Sequence, residues 1–228
     1  GQQLNMFEDP LAAEAFEADK TKNNQGINVI IGNPPYSGES ANKGKWIMSL
    51  MEDYKKEPDS TNNLKEANSK FVNDDYVKFI RFAQHCVEKS GKGVVAFINP
   101  HGFIDSPTFR GMRWNLLKTF DTIYTIDLHG NAKRKETCID GTKDENVFDI
   151  MQGVCIAIFV KNNFSKQSLN FYDLLGTRKI KYDFLQKTDL KSVNFIKSNC
   201  SSPQYYYNRT IKECELKYSK GYRTSELF

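Results

Sequence analysis

The sequence predicts an α/β fold on a mostly parallel sheet, and three observations carry that prediction. Four apolar runs, residues 27–32, 93–98, 121–128 and 153–160, are rich in β-branched side chains and lack the alternation of a half-solvated strand. Strands buried on both faces of a parallel sheet read this way. Between them lie segments of helical period, one carrying Tyr76, Phe79, Ile80, Ala83 and Val87 and another Leu116 and Leu117. At 228 residues the chain can bury one full core with a smaller appendage.

Taken in order, Asp9 before Pro10 reads as a cap and first helical position, opening a short helix to about residue 19. The first strand ends in Asn33-Pro34-Pro35-Tyr36, and two prolines forbid further ladder pairing, so the chain leaves the sheet at Asn33. Residues 37–70 are polar and contain Gly38, Gly44 and Pro58, which reads as a long loop, either a flap over a substrate or a disordered connection. Asn73 is the expected cap of the next helix, whose Tyr76, Phe79, Ile80, Ala83 and Val87 are expected in the core, and Gly91 ends it. Ser106-Pro107 opens a helix that leads into the strand at 121–128. Residues 129–147 form a polar segment with the cluster Lys133-Arg134-Lys135, which suits either phosphate contacts or a solvated loop. Past Val160, Tyr172, Tyr182, Tyr205, Tyr206, Tyr207, Tyr218 and Tyr222 are interleaved with lysine and arginine.

An apolar fraction of 39% fits a globular protein, no run approaches a membrane span, and the amino terminus has no signal-peptide pattern. The net charge of +4 is compatible with nucleic acid without demonstrating it. Cys86, Cys138, Cys155, Cys200 and Cys214 are odd in number and unpaired in spacing, which argues for a reducing, cytoplasmic compartment. His85, His101 and His129 show no ligand spacing, so no metal is expected.

Asn33-Pro34-Pro35-Tyr36 carries the chemistry. The carboxyl end of a strand in an open α/β sheet is where ligands sit. An amide, a proline carbonyl and an aromatic ring held there suit methyl transfer to an exocyclic amine, whose lone pair is delocalised and a poor nucleophile. If the Asn33 side-chain oxygen and the Pro34 carbonyl each accept one N–H, the lone pair is localised. The charge that develops on nitrogen then meets two fixed dipoles. Tyr36 offers a face for stacking a planar base.

Residues 30–37 resemble the catalytic motif of amino-methyltransferases that use S-adenosylmethionine. Together with Gly93-Val94-Val95-Ala96-Phe97-Ile98-Asn99-Pro100, Phe109-Arg110-Gly111-Met112-Arg113, Ile126-Asp127-Leu128-His129-Gly130-Asn131 and Tyr172-Asp173-Leu174-Leu175-Gly176-Thr177-Arg178-Lys179, they resemble the adenine-N6 DNA methyltransferases of Type ISP and Type IIG single-chain restriction-modification enzymes. The resemblance implies the second half of a Rossmann-like methyltransferase sheet, with its final strand antiparallel. It implies a catalytic-motif half over residues 1–163 and a connector toward a target-recognition region over 164–228. It also implies S-adenosylmethionine as cofactor with Asn33 facing it, duplex DNA as partner, base flipping, and fusion to nuclease or helicase and recognition domains. In Asn146-Val147-Phe148, Phe148 either plugs the core or, as the family has it, forms the wall opposite Tyr36.

The family's Gly-rich cofactor loop and ribose-binding acid have no counterpart in the sequence. The chain is therefore expected to be a fragment that alone neither binds S-adenosylmethionine usefully nor methylates DNA. Protein-glutamine N5-methyltransferases carry the same tetrapeptide and form a rival reading, and a non-catalytic DNA-binding module forms another.

Overall fold

The four apolar runs become the first four strands of one six-stranded sheet, but the first of them, expected to be buried on both faces, is an edge strand with Val29 and Ile31 exposed. The computed structural model describes residues 10–24, 26–38, 40–66, 69–163, 166–198 and 200–208. Helix α1 (Pro10–Asn24) leads to β1 (Val29–Gly32), then α2 (Lys45–Met51), α3 (Asp75–Ser90), β2 (Gly93–Pro100), α4 (Arg110–Thr119) and β3 (Thr122–Asp127). Strands β4 (Val154–Lys161) and β5 (Ser168–Asp173), helix α5 (Arg178–Lys187) and the short β6 (Ile196–Lys197) complete the chain order. The spatial order is β1-β2-β4-β3-β5-β6. Strands β1 and β2 are parallel, as are β3 and β5, whereas β4 runs antiparallel to both β2 and β3. The last of the four anticipated strands is thus the reversed one. The sheet also runs past residue 163, because β5 pairs along the whole of β3 and β6 caps β5.

This topology gathers the site. The carboxyl ends of β1, β2 and β3 share one edge with the amino end of antiparallel β4. Asn33, His101, Leu128 and the loop before Val154 therefore emerge together. At the flank, β1 leaves Val29 and Ile31 exposed, the latter by 77%.

Helix α3 buries Tyr76, Ile80, Ala83 and Val87 and stops at Gly91, whose φ of 76° is the left-handed conformation glycine takes most easily. Two expectations for this helix are corrected. Asp74, not Asn73, holds the cap position, because Asn73 belongs to a 3-10 turn at Ser69–Asn73. Phe79 is 46% exposed rather than core, since it falls just outside the buried stripe.

The segment after Tyr36 is not a disordered connection among its described residues. It folds into α2 and a 3-10 turn at Glu52–Lys55, which place Met51 and Tyr54 wholly inside the core. Beyond that turn, Arg110 pairs with Glu57 and Glu66 and holds the segment against the start of α4. Gly111 lets the segment pass, since a Cβ there would lie 2.2 Å from the Lys56 carbonyl oxygen.

Among the tyrosines past Val160, those at 205–207 turn inward. Tyr207 is buried and its hydroxyl donates to the Arg113 carbonyl at 2.8 Å, Tyr205 packs on Trp114, and the Arg113 guanidinium lies over Tyr206. Arg113 itself is buried, donating to the carbonyls of Phe103, Ser106 and Gln204. These tyrosines close the core and offer no basic aromatic face; Tyr218 and Tyr222, like Asp9 and Cys214, lie outside the described residues.

Candidate functional site

The Asn33–Tyr36 tetrapeptide begins one residue past β1, with Pro34 buried, Tyr36 half-buried and Asn33 and Pro35 exposed. The Tyr36 hydroxyl lies 2.9 Å from Asn33 Oδ1 and 3.1 Å from the Ile98 carbonyl oxygen on β2. One proton serves either acceptor, so the phenol ties the amide of the loop to the neighbouring strand. Burial pushes the Tyr36 phenol above its ordinary range, which keeps it a neutral donor. Behind the loop, the Asp74 carboxylate accepts from the amides of Ser37 at 3.1 Å and Gly38 at 2.9 Å. The two prolines stiffen the loop from within, and Asp74 anchors it from below.

Phe148 stands in the loop that feeds β4, at the same edge. Its amide donates to Asn146 Oδ1 at 2.9 Å, a local turn that fixes the ring's departure from the chain. Tyr36 and Phe148 both pack, half-buried, against the cluster of Ile126, Leu128, Val147, Val154 and Leu174. Only β2 separates β1 from β4. At the usual strand spacing of ~4.8 Å, the two loops start about 9–10 Å apart. Beside them a cleft of about 910 Å³ opens between residues 130–137 and 143–151, lined by Phe148, Lys135, Lys143 and Arg178 but by none of the tetrapeptide.

Lys133, Arg134 and Lys135 are exposed in a turn at the mouth of that cleft. Asn131 builds the turn, its Oδ1 accepting from the amides of Lys133 and Arg134. Arg134 Nη1 comes within 3.7 Å of Asp105 across the surface, a weak tie.

The residues from Asp127 to Asn131 form a polar network that sequence spacing did not reveal. Because Asn131 Oδ1 is occupied by backbone amides, its Nδ2 faces His101 Nε2 at 3.2 Å. The His101 proton therefore sits on Nδ1, aimed at Asp127 Oδ1 at 3.0 Å. His129 in turn meets Asp173 at 2.6 Å and Glu136 at 3.7 Å. Burial alone would lower the His129 imidazole, but Asp173, Glu136 and Asp127 outweigh it and raise the group to about 10. Glu136, which burial would raise, is instead drawn down to about 2 by His129 and the Asn131 amide. Ligand atoms of His101, His129 and Glu136 lie within 4.8 Å of one another. In this network the His129 imidazolium is itself the cation among the carboxylates.

Gly130 is required where it stands. Its φ is 79°, and a Cβ there would lie 2.4 Å from Asn146 Cα. The network loop and the Phe148 loop thus touch backbone to backbone. Among the described residues no helix is long and apolar enough to cross a membrane.

Known proteins share this architecture. Superposition on the protein of the DrdV–DNA complex gives a TM-score of 0.72 at 27% identity, over 88% of this chain and 20% of that one. A nuclease-deletion mutant of the Type ISP restriction-modification enzyme LlaGI, in complex with a DNA substrate mimic, gives 0.72 at 23% identity, over 90% of this chain and 20% of that one. The ATP-dependent Type ISP enzyme LlaBIII bound to DNA gives 0.71 at 24% identity, over 90% of this chain and 14% of that one. The chain therefore spans a fifth or less of the length of these solved proteins, and the last two likenesses establish the fold. No curated protein matches it. A family model described as Eco57I restriction-modification methylase matches residues 2–133, more than half of the sequence, and the chain belongs to that family.

Proposed function

We propose that this chain is the catalytic-motif half of a site-specific DNA methyltransferase that methylates N6 of a flipped adenine, within a longer restriction-modification enzyme. The observation that carries the reading is an exposed Asn33, tied to the Tyr36 hydroxyl, at the same sheet edge as the Phe148 loop that leads into β4, with Tyr36 and Phe148 packed against one apolar cluster.

In this reading the Asn33 oxygen and the Pro34 carbonyl accept the two N–H groups of the target amine and localise its lone pair. As the nitrogen becomes positive, both acceptors are already in place and need not reorganise. The Tyr36 hydroxyl donates to the same Asn33 oxygen and holds the amide in one rotamer. Tyr36 and Phe148 take the extruded base between their faces, and Pro35 keeps the loop out of the sheet. Lys133, Arg134 and Lys135 meet phosphates outside the pocket. Nuclease or helicase and target-recognition parts belong to the rest of such an enzyme.

The exposed Asn33 amide at the carboxyl end of β1 fits the reactive end of S-adenosylmethionine. When bound, that cofactor supplies an electrophilic methyl group, and Asn33 is the residue placed to meet it. Its adenosine end has no assigned residue here.

The test is methyl transfer by the enzyme that carries this chain, using tritiated S-adenosylmethionine and either mixed-sequence DNA or a glutamine-bearing peptide. Label in N6-methyladenine supports the reading. Label in the peptide alone replaces it with protein-glutamine methylation, and label in neither, with DNA still bound, leaves a binding module.

A further inference from the structure

Four consecutive backbone carbonyls, from Glu145 to Phe148, each accept a hydrogen bond from a side chain of α5. Lys181 Nζ donates to Glu145 O at 2.6 Å, Arg178 Nε to Asn146 O at 2.8 Å, Tyr182 Oη to Val147 O at 2.6 Å and Arg178 Nη2 to Phe148 O at 3.1 Å. An irregular segment has no ladder to satisfy its carbonyls, and here one helix face does so instead. Residues 178, 181 and 182 are three and four apart, the spacing that stacks side chains on one side of a helix.

Lys181 is the centre of the arrangement. Its ammonium is fully buried and all three donors are used, on Leu128 O at 2.6 Å, Asp144 at 2.9 Å and Glu145 O. The Asp144 side chain is buried too and accepts from the amides of Gly130 at 2.6 Å and Gly176 at 2.8 Å. A buried ion pair is often replaceable by apolar residues without loss of stability, so its use here points to geometry rather than to stability alone. What it fixes is the relation between the network loop, the 144–148 segment and the start of α5.

We propose that α5, through Arg178, Lys181 and Tyr182, is the positioning element for the Phe148 wall, so that a helix outside the catalytic loop sets how well an extruded adenine is held. The inference rests on the reading of Phe148 as a base-stacking wall. None of the three side chains is placed against the base; each acts through the backbone that carries Phe148.

The experiment uses the enzyme that carries this chain, with Tyr182→Phe and Arg178→Met, both at sites on the outer side of the buried pair. Each is made alone and with Phe148→Ala. The readouts are DNA affinity, thermal midpoint, methylation rate and the fluorescence of 2-aminopurine at the target adenine. Each single variant is expected to lower the thermal midpoint by no more than a few degrees and, assayed well below it at undiminished DNA occupancy, to dim the 2-aminopurine signal and slow methylation about tenfold. Neither should add to the loss already caused by Phe148→Ala, because the ring they position is gone. If Phe148→Ala impairs flipping while Tyr182→Phe and Arg178→Met do not, or if their losses add to it, the positioning role of α5 is overturned and the wall stands. If Phe148→Ala leaves flipping unchanged, the wall itself is overturned and the role of α5 with it.

Discussion

The two halves of the proposed base pocket are made rigid by opposite means. The Asn33–Tyr36 loop is stiffened covalently, by two prolines, and has one carboxylate beneath it and one phenol across it. The 144–148 segment has no proline and is held by donors from α5, by the Asp144–Lys181 pair and by the close approach of Gly130. A loop stiffened by its own covalent geometry can stay exposed and still be ordered. A wall held by others must be buried among them, and changes far from the base will reach it.

The largest expected effect breaks the second half. Lys181→Met leaves the Asp144 carboxylate buried without its cation, which should cost about 3–5 kcal/mol in denaturant unfolding. Adding Asp144→Asn should recover part of that loss, because no charge then remains uncompensated. A Lys181→Met protein as stable as the parent would mean that water reaches the pair.

Asn33→Ala tests the first half and should leave folding and DNA affinity intact. Loss of one preorganised acceptor at the developing charge should slow methylation about a hundredfold or more. Single-turnover methyl transfer measures it, and near-normal turnover would remove Asn33 from the mechanism.

The His129 network, at the ends of β3 and β5, has pH as its signature. The folded value of His129, about 10, lies above its ordinary 6.5, so its contribution to stability is full below about pH 6.5 and fades as pH rises toward 10. Glu136 is drawn from 4.5 to about 2, so its contribution is full above pH 4.5 and is lost as pH falls toward 2. His129→Gln should therefore destabilise the chain most near pH 6, by about 1–2 kcal/mol once solvent screening is allowed for, and least near pH 10. Thermal melts of both proteins across that range check it, and a constant gap would contradict the network.

The smallest effect belongs to the outer turn. Replacing Lys133, Arg134 and Lys135 by alanine should weaken binding to every DNA sequence alike and lower the log–log salt slope by about one for each phosphate no longer neutralised. An unchanged slope would return the cluster to the solvent.

Local features were legible in the sequence, and features made by distant partners were not. The buried strands, the Gly91 stop and the proline exit at Asn33 are each written within a few residues. Helix α2 was hidden because Trp46 to Met51 is a short apolar stripe inside a polar span. The tyrosines at 205–207 look like a binding face beside their basic neighbours, yet their partners Trp114 and Arg113 lie some ninety residues upstream. The α5 clamp is similar: Arg178, Lys181 and Tyr182 read as a charged helix face until residues 145–148 are folded against them. Asp127 and His129 belong to a stretch that resembles the family, but the roles of His101, Glu136 and Asp173 exist only once the sheet brings them together.

The most direct test of a two-walled base pocket is 2-aminopurine fluorescence in a duplex carrying the analogue at the adenine found to be methylated. The parent enzyme should give a bright signal on binding, and Tyr36→Ala and Phe148→Ala should each dim it at undiminished overall DNA occupancy. The loss should correspond to about 1–3 kcal/mol for each missing stacking ring. A Phe148→Ala enzyme that flips and methylates as well as its parent would contradict the account, leaving Phe148 as core packing and the catalytic loop without an opposite wall.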